Sequence, residues 1–394
     1  MKLENIDLNG KRVIIRCDFN VPIKNGIIED DNRIVESLPT INLVKNKGAK
    51  IILMSHLGRI NSLEDKKDKT LKPVAERLSE LLNQRVIFID ETRGEKLEKS
   101  INNLKNGDIL LMENTRFEDL DGKKESKNNQ ELGKYWSSLA DFYVNDAFAT
   151  LHRSHASNVG IATYLPCCFG LLVRKELDIF KNVLSNPSRP LTVIIGGSKV
   201  SDKIGVLENL VNKADYILVG GGMAYTFLKA KGYNIGLSLL DEDKIDYCSN
   251  LLNKTDKIIL PIDSLVSKDI NEDSKILVKN NDEFLDNDIG LDIGPKTIEL
   301  FKKYINRSNT VIWNGPVGYF EIPAFSVGTK KLADLVINVP VSIVGGGDTA
   351  SALINMGYKD KFTHISTGGG ASLELLEGKK LPGIEVIEKN EVNC

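Results

Sequence analysis

Short apolar runs of strand length alternate with helix-length amphipathic segments along this whole chain, and that alternation limits the folds open to it. In the first half the runs are Arg12–Arg16 (RVIIR), Lys50–Met54 (KIILM), Arg85–Ile89 (RVIFI), Asp108–Met112 (DILLM) and Asp141–Val144 (DFYV). Helical patterns lie between them over Glu36–Lys47, Leu71–Leu82 and Gln130–Leu139. After Pro166 a long amphipathic pattern, Gly170–Leu184, closes on Ser185-Asn186-Pro187, and a second series then begins. Its runs are Leu191–Ile195, Tyr216–Val219, Lys257–Leu260, Thr310–Trp313, Val341–Val344 and Thr363–Ser366.

Strands alternating with helices predict mainly parallel sheets with helices on both faces. A chain of 394 residues is too long for one ordinary core. The expected fold is therefore α/β: two Rossmann-like three-layer αβα domains joined by a connecting helix, with a cleft. The boundaries read as residues 1–169, a connector over 170–184 and a second domain over 185–380. The connector pattern also fits the last helix of the first domain.

Right-handed crossovers place all the strand C-termini of such a sheet on one edge, where these folds bind ligands. In the first half the residues after the strands are Asp18 and Asn20, His56 and Arg59, Asn114 and Arg116, then Asn145 and Asp146, with Arg33 and Arg153 in the adjoining loops. Four arginines and a histidine on one edge suggest a site for a small, multiply charged anion, because the planar guanidinium binds carboxylate and phosphate in two-pronged fashion. Each arginine taken singly also fits a solvated surface charge.

The second half ends its strands differently: Gly196-Gly197-Ser198-Lys199, Gly220–Gly222, Pro261–Asp263, Asn314-Gly315-Pro316, Gly345–Asp348 and Gly368–Gly370. Glycine at several strand ends suits a ligand lying against bare backbone, as a nucleotide does. Within Val341–Leu353 (VSIVGGGDTASAL) the glycines precede a helix opening on Thr349 and Ala350, a phosphate-binding arrangement. Asp348 is placed to hold a divalent cation against phosphate oxygens. Standing alone, the pattern also fits a strand-to-helix turn without a ligand. Lys199 and Lys203 share a helix face and can reach a phosphate chain, or can be plain solvated lysines.

Bulk properties exclude some classes. With 52 basic and 54 acidic residues, no global field favours nucleic acid or an anionic membrane. The cysteines Cys17, Cys167, Cys168, Cys248 and Cys394 show no zinc or C-x-x-C spacing and suit reduced thiols in the cytoplasm. The N-terminus lacks an apolar signal segment, and no apolar run reaches bilayer length. The histidines His56, His152, His155 and His364 lack metal-ligand spacing. Glu64–Lys69 and Asp121–Asn129 read as solvated loops without a function. Neither GxxxxGK[ST] nor a strand-to-helix GxGxxG is present, nor are the HRD and DFG sets.

An arginine edge and a glycine-lysine-aspartate edge together suit phosphoryl transfer, which depends on positioning and charge neutralisation. An acceptor that is already an anion needs no general base.

The motifs RCDFNVP (16–22), DNRI (31–34), SHLGR (55–59), ENTRF (113–117), NDAF with HRSHAS (145–157), GGSKVSDKIGV (196–206), GGGMAYTFL (220–228), LDIGPKT (291–297), WNGPVGYFE (313–321), GGGDTAS (345–351) and STGGGASLELLEGKKLPG (366–383) follow in one order. In this order the chain resembles phosphoglycerate kinase from end to end. The resemblance implies transfer between 1,3-bisphosphoglycerate with ADP and 3-phosphoglycerate with ATP, using Mg²⁺, by a monomer without nucleic-acid or membrane partners. It implies that Asp18, Asn20, Arg33, His56, Arg59, Arg116 and Arg153 hold the glycerate substrate, with Arg33 nearest the transferred group. Lys199 and Lys203 follow or bind the moving phosphoryl, Asp348 ligates Mg²⁺, and Gly346, Gly347 and Thr349 contact nucleotide phosphates. Gly290, Leu291, Pro316 and Glu321 surround adenine and ribose, Gly221 and Gly222 lie beneath the base, and the helix opening at Gly368–Gly370, with Gly369 and Gly370 catalytic, neutralises the transferring group. The tail over about 381–394 is implied to pack on the first domain.

Ala149, Leu151, Ile60, Asn61 and Tyr319 depart from the family's usual residues and bear on loop geometry. Two rival readings stay open at this level: a two-lobed anion-binding protein without chemistry, which usually carries an export signal, and a nicotinamide dehydrogenase, which lacks its fingerprint here.

Overall fold

A computed structural model describes residues 2–271, 273 and 275–391. It divides into two compact units, one formed by the chain up to Ile179 together with the chain from Lys380 on, the other by Phe180–Lys379. The boundary near residue 180 falls inside the helix Leu171–Ser185.

Each unit is built on a six-stranded parallel sheet, which bears out the α/β expectation. The order in the first is Val86–Ile89, Ile109–Met112, Lys50–Met54, Arg12–Arg16, Phe142–Asn145, Cys167–Phe169. In the second it is Ile258–Ile259, Tyr216–Val219, Leu191–Ile195, Thr310–Asn314, Val341–Gly345, His364–Ile365. The central strands are apolar on both faces because helices cover both, and Val13, Ile14, Ile51, Ile52, Val193, Ile194, Val311 and Ile312 are all fully buried. In the second sheet the direction of winding reverses between Leu191–Ile195 and Thr310–Asn314. The crevice that opens at such a reversal is where these sheets bind ligands.

Several elements differ from the sequence expectation. Glu64–Lys69 is helical over Leu63–Asp68, because Ser62 and Asp65 form a reciprocal capping box: Asp65 N donates to Ser62 Oγ at 3.3 Å and Ser62 N to Asp65 Oδ2 at 3.0 Å. Cys167–Phe169 adds a short edge strand to the first sheet. The second unit carries a further antiparallel sheet, ordered Leu277–Asn280, Asp263–Ser267, Ile289–Ile293, that periodicity does not reveal. The terminal helix Pro382–Glu391 belongs to the first unit, where Gly383 N donates to Leu151 O at 3.0 Å and Asn390 Nδ2 to Ala162 O. Leu151 is fully buried there, and Ile60 is buried beside an exposed Asn61. Residues 392–394 of the expected tail, Cys394 among them, lie outside the described residues; Cys17, Cys167, Cys168 and Cys248 are buried and in no disulfide. Among the described residues no helix is long and apolar enough to cross a membrane.

Asp146 follows the strand Phe142–Asn145 and caps the helix Leu171–Ser185, its Oδ1 accepting from Leu172 N at 3.0 Å and Val173 N at 3.3 Å. Burial pushes its carboxyl up to about 6, against hydrogen bonds from Thr40, Val173 and Leu172 that lower it. A carboxyl raised on folding binds its proton more tightly in the native state. The native state therefore loses stability as pH rises from about 4 to about 6. Asp146→Asn keeps an acceptor for the helix N–H groups and removes the charge. It is expected to raise urea-unfolding stability at pH 8 by roughly 1–3 kcal/mol, with the gain vanishing below about pH 4.

Candidate active site

The strand ends of the first unit assemble a basic edge around one carboxylate and one imidazole. Asp18 follows the strand Arg12–Arg16, and its Oδ2 is ion-paired with Arg33 Nη1, while its Oδ1 accepts from Asn20 N at 3.2 Å. Asn20 Oδ1 in turn accepts from Gly58 N at 2.8 Å, tying the loop after the first strand to the Ser55–Arg59 loop. His56 is buried on that loop, and Arg59 is exposed at its end. Asn114 braces the next loop: its Oδ1 accepts from Leu57 N and from Arg116 N, both at 3.0 Å. Arg116 is buried, donating from Nη1 to Asp119 Oδ2 at 3.1 Å and to Ser126 Oγ at 2.6 Å. Arg153 is exposed, with Nε 3.1 Å from His152 Nε2.

The buried imidazoles lie in the field of these arginines. Burial, followed by the charges of Arg16, Arg116, Arg153 and Arg33, holds the His56 imidazole well below its ordinary range. His155 is pushed down to about 2 by burial and then by Arg116 and Arg16. Both rings are neutral near pH 7, so the positive character of this edge comes from its arginines.

Two residues central to this edge escape sequence reasoning. Arg16 is fully buried at the end of an apolar strand run, and Glu125 is fully buried inside the segment read as a solvated loop. Glu125 accepts from Ser157 N at 2.9 Å and from Ser157 Oγ, and Arg16 Nε donates to Ser157 Oγ at 3.0 Å. Burial raises the Glu125 carboxyl, against the lowering influence of Arg16, Ser157 and Arg116. The expectation for Asp121–Asn129 is corrected accordingly: part of it is a buried brace, since a carboxylate with two donors and a nearby guanidinium tolerates burial that a lone one does not.

The second unit contains a pocket of about 330 Å³ at its strand ends, lined by Gly197–Lys199, Asp202, Lys203, Asn314–Pro316, Gly346–Thr349, Gly369, Gly370 and Leu373. It brings together Lys199, Lys203, Pro316, Gly346, Gly347, Asp348, Thr349, Gly369 and Gly370 from the expected set. Gly346 takes φ +94° and Gly369 φ +48°, left-handed conformations that side chains resist, so bare backbone faces the pocket at both turns. Thr349 is buried and its Oγ1 accepts from Gly315 N at 2.7 Å. Lys203 Nζ donates to Asn314 Oδ1, while Asn314 Nδ2 donates to Gly345 O at 2.9 Å. Burial lowers the Lys203 ammonium from its usual range, against Asp202, Asp348 and Glu377.

Gly221, Gly222, Gly290, Leu291 and Glu321 do not line this pocket. Gly221 packs under its wall, where a Cβ would lie 2.7 Å from Gly197 N and 2.8 Å from Pro316 O. A Cβ on Gly222 would meet Leu239 at 2.6 Å. Gly290 and Leu291 belong to the antiparallel strand Ile289–Ile293, and Leu291 O accepts from Tyr319 N at 2.7 Å. Glu321 and Tyr319 are exposed. A third unforeseen residue, Asp292, ties that strand to the Val327–Val336 helix: its Oδ2 accepts from Gly328 N at 2.7 Å, and burial pushes the carboxyl up to about 7.

Among the described residues no group of three His, Cys, Asp or Glu can hold a metal. Asp348, by contrast, is exposed in the first turn of the helix Gly347–Asn355 and faces the pocket. One hard carboxylate with room for phosphate oxygens and water is how Mg²⁺ is commonly held beside a nucleotide.

A family model described as phosphoglycerate kinase matches residues 3–379. The chain belongs to the phosphoglycerate kinase family. The phosphoglycerate kinase of Enterococcus faecalis is 57% identical over 389 residues, 98% of each chain. The solved phosphoglycerate kinase of Coxiella burnetii superposes with a TM-score of 0.90 at 42% identity over 99% of each chain, and that of Pyrococcus horikoshii with 0.86 at 31% over the whole of both. As a phosphoglycerate kinase the chain is a phosphotransferase with a carboxyl acceptor, uses a nucleotide and takes part in glycolysis. The binding-protein and dehydrogenase readings fall with that membership.

Proposed function

We propose that the second-unit pocket holds ATP or ADP with Mg²⁺, that the arginine edge of the first unit holds 3-phosphoglycerate or 1,3-bisphosphoglycerate, and that the phosphoryl group passes directly between them. The pocket supports this reading most strongly: glycine backbone, Lys203 and Asp348 meet there in a volume suited to a phosphate chain. Gly346, Gly347 and Thr349 would contact the phosphates, and Lys199 and Lys203 would follow the transferred group. Gly369 and Gly370 would present backbone N–H groups to it. Asp348 would hold the magnesium ion, which when bound neutralises phosphate charge. Gly221, Gly222, Gly290, Leu291, Pro316 and Glu321 would frame the base and ribose.

Asp18, Asn20, His56, Arg59, Arg116 and Arg153 would bind the glycerate, and Arg33, paired with Asp18, would lie nearest the acceptor. The 3-phosphoglycerate carboxylate is itself the nucleophile, so no general base is required. Donor and acceptor sets belong to different units, so the reaction requires both substrates to be brought together. We further propose a cytoplasmic monomer; buried cysteines that form no disulfide suit a reducing compartment.

A coupled assay of the purified protein with ATP and Mg²⁺ is expected to show ADP formation that depends on 3-phosphoglycerate; no such dependence refutes the proposal. Arg33→Ala is expected to lower kcat by about 10²-fold while ATP affinity changes little. A rise confined to the KM for ATP would place Arg33 with the nucleotide and overturn its assignment.

A further inference from the structure

Arg16 is enclosed at the back of the basic edge, and each of its guanidinium nitrogens has a partner. Nε donates to Ser157 Oγ at 3.0 Å, Nη1 donates to Cys17 O, and Nη2 lies 3.2 Å from His56 Nδ1. Ser157 is in turn fixed by Glu125, which accepts from both its N–H and its hydroxyl. Arg16 therefore has little freedom to turn away from His56.

A guanidinium carries donors and no acceptor. The contact with His56 is a hydrogen bond only if Nδ1 supplies the lone pair; a proton on Nδ1 would face the guanidinium protons in a buried setting. Asp18 Oδ1 lies 3.9 Å from the same nitrogen, beyond hydrogen-bond range, and does not compete for a proton there. Burial and the surrounding arginines disfavour the doubly protonated ring.

We infer that Arg16 is a positioning residue that fixes His56 in the tautomer with its proton on Nε2, so that His56 offers the anionic substrate an Nε2–H donor. The second half of this statement rests on the proposed role of the basic edge. Arg16 thus acts through His56, and a neutral ring contributes a directed donor where a further cation would add only charge.

The test begins with long-range ¹⁵N–¹H spectra of the free protein carrying labelled histidine. With four histidines in the chain, His56→Gln assigns the resonance by its loss. Nδ1 of His56 is expected unprotonated and Nε2 protonated; the reverse overturns the inference. Arg16→Lys, which cannot span all three acceptors, is expected to yield a mixture of tautomers. The parent spectrum decides the tautomer even where that variant does not fold; a folded Arg16→Lys protein that keeps a single Nε2–H tautomer overturns the role of Arg16.

The second arm measures KM for 3-phosphoglycerate. A glutamine amide nitrogen stands close to the place of Nε2 and an asparagine amide nitrogen to that of Nδ1. His56→Asn is therefore expected to raise KM at least about tenfold more than His56→Gln, the worth of one hydrogen bond to a charged group. Equal effects, or the opposite order, overturn the donor assignment. If the spectra show a protonated Nε2 and neither substitution moves this KM, the tautomer stands while the anion role of the edge fails.

Discussion

Replacing Lys203 by alanine is expected to lower kcat by about 10²–10³-fold, the cost of losing one preorganised charge at a reacting phosphoryl group. Lys203 is half-buried in the pocket wall with its ammonium on Asn314, and Asn314 cannot turn away because its amide is engaged with Gly345 O at 2.9 Å. Burial already disfavours the charge, so a phosphate oxygen reaching Nζ gains an interaction stronger than it would find in water. The exposed Lys199 lacks that enclosure, and Lys199→Ala is expected to cost less. Lys203→Met retains the apolar stem and most of the packing; if charge is what matters, it should be as slow as the alanine variant while melting like the parent. Steady-state kinetics beside thermal unfolding of both variants make the comparison. A kcat within about threefold of the parent for Lys203→Met would remove Lys203 from the reacting centre.

The parts legible in the sequence are those where local pattern and tertiary role coincide. Apolar runs such as RVIIR and LTVII became central strands because both faces of a parallel sheet are buried, and glycines at their ends marked turns that must approach other backbone. The antiparallel sheet escaped because Leu277–Asn280 has no buried alternating face, and Cys167–Phe169 because three residues carry no period. Leu63–Asp68 looked like a charged loop since its helix depends on a cap and buries nothing. Within the site, the placement of residues after strand ends was readable, whereas that of Arg16, Glu125 and Asp292 was not. Arg16 and its partner Ser157 are separated by 141 positions, and nothing local distinguishes a guanidinium that will be buried from one that will be solvated. Asp292 likewise finds Gly328 N at a distance of 36 positions. The run RVIIR illustrates the case of arginine: Arg12 at its start is half-buried and Arg16 at its end fully buried, with the same apolar residues between them.

Gly196→Ala is expected to destabilise the protein by about 3–5 kcal/mol, whereas Gly347→Ala is expected to leave it folded and impair only its nucleotide site. The two glycines belong to the same pocket end of the second sheet but meet different surroundings. A Cβ on Gly196 would lie 2.0 Å from Pro316 O and 2.7 Å from Gly315 O, backbone atoms that cannot swing aside as a side chain can. Those atoms are held by Gly196 N to Asn314 O and Gly197 N to Pro316 O, both at 3.0 Å, and by Gly315 N to Thr349 Oγ1 at 2.7 Å. Admitting a methyl group therefore separates two strand ends and displaces Asn314, with it the seat of Lys203. At Gly347 a Cβ would find nothing within 4 Å, since the position opens the helix Gly347–Asn355 and lines the pocket. Alanine there should retain or slightly raise stability, by up to about 1 kcal/mol, because it restricts the unfolded chain and suits a helix. The same methyl group would occupy space proposed for phosphate, so ATP affinity should fall about tenfold or more, an effect of at least roughly 1.4 kcal/mol. Urea unfolding and calorimetric ATP titration of both variants read the two quantities separately. A Gly347→Ala protein that binds ATP as tightly as the parent would mean that the phosphates do not lie over this turn.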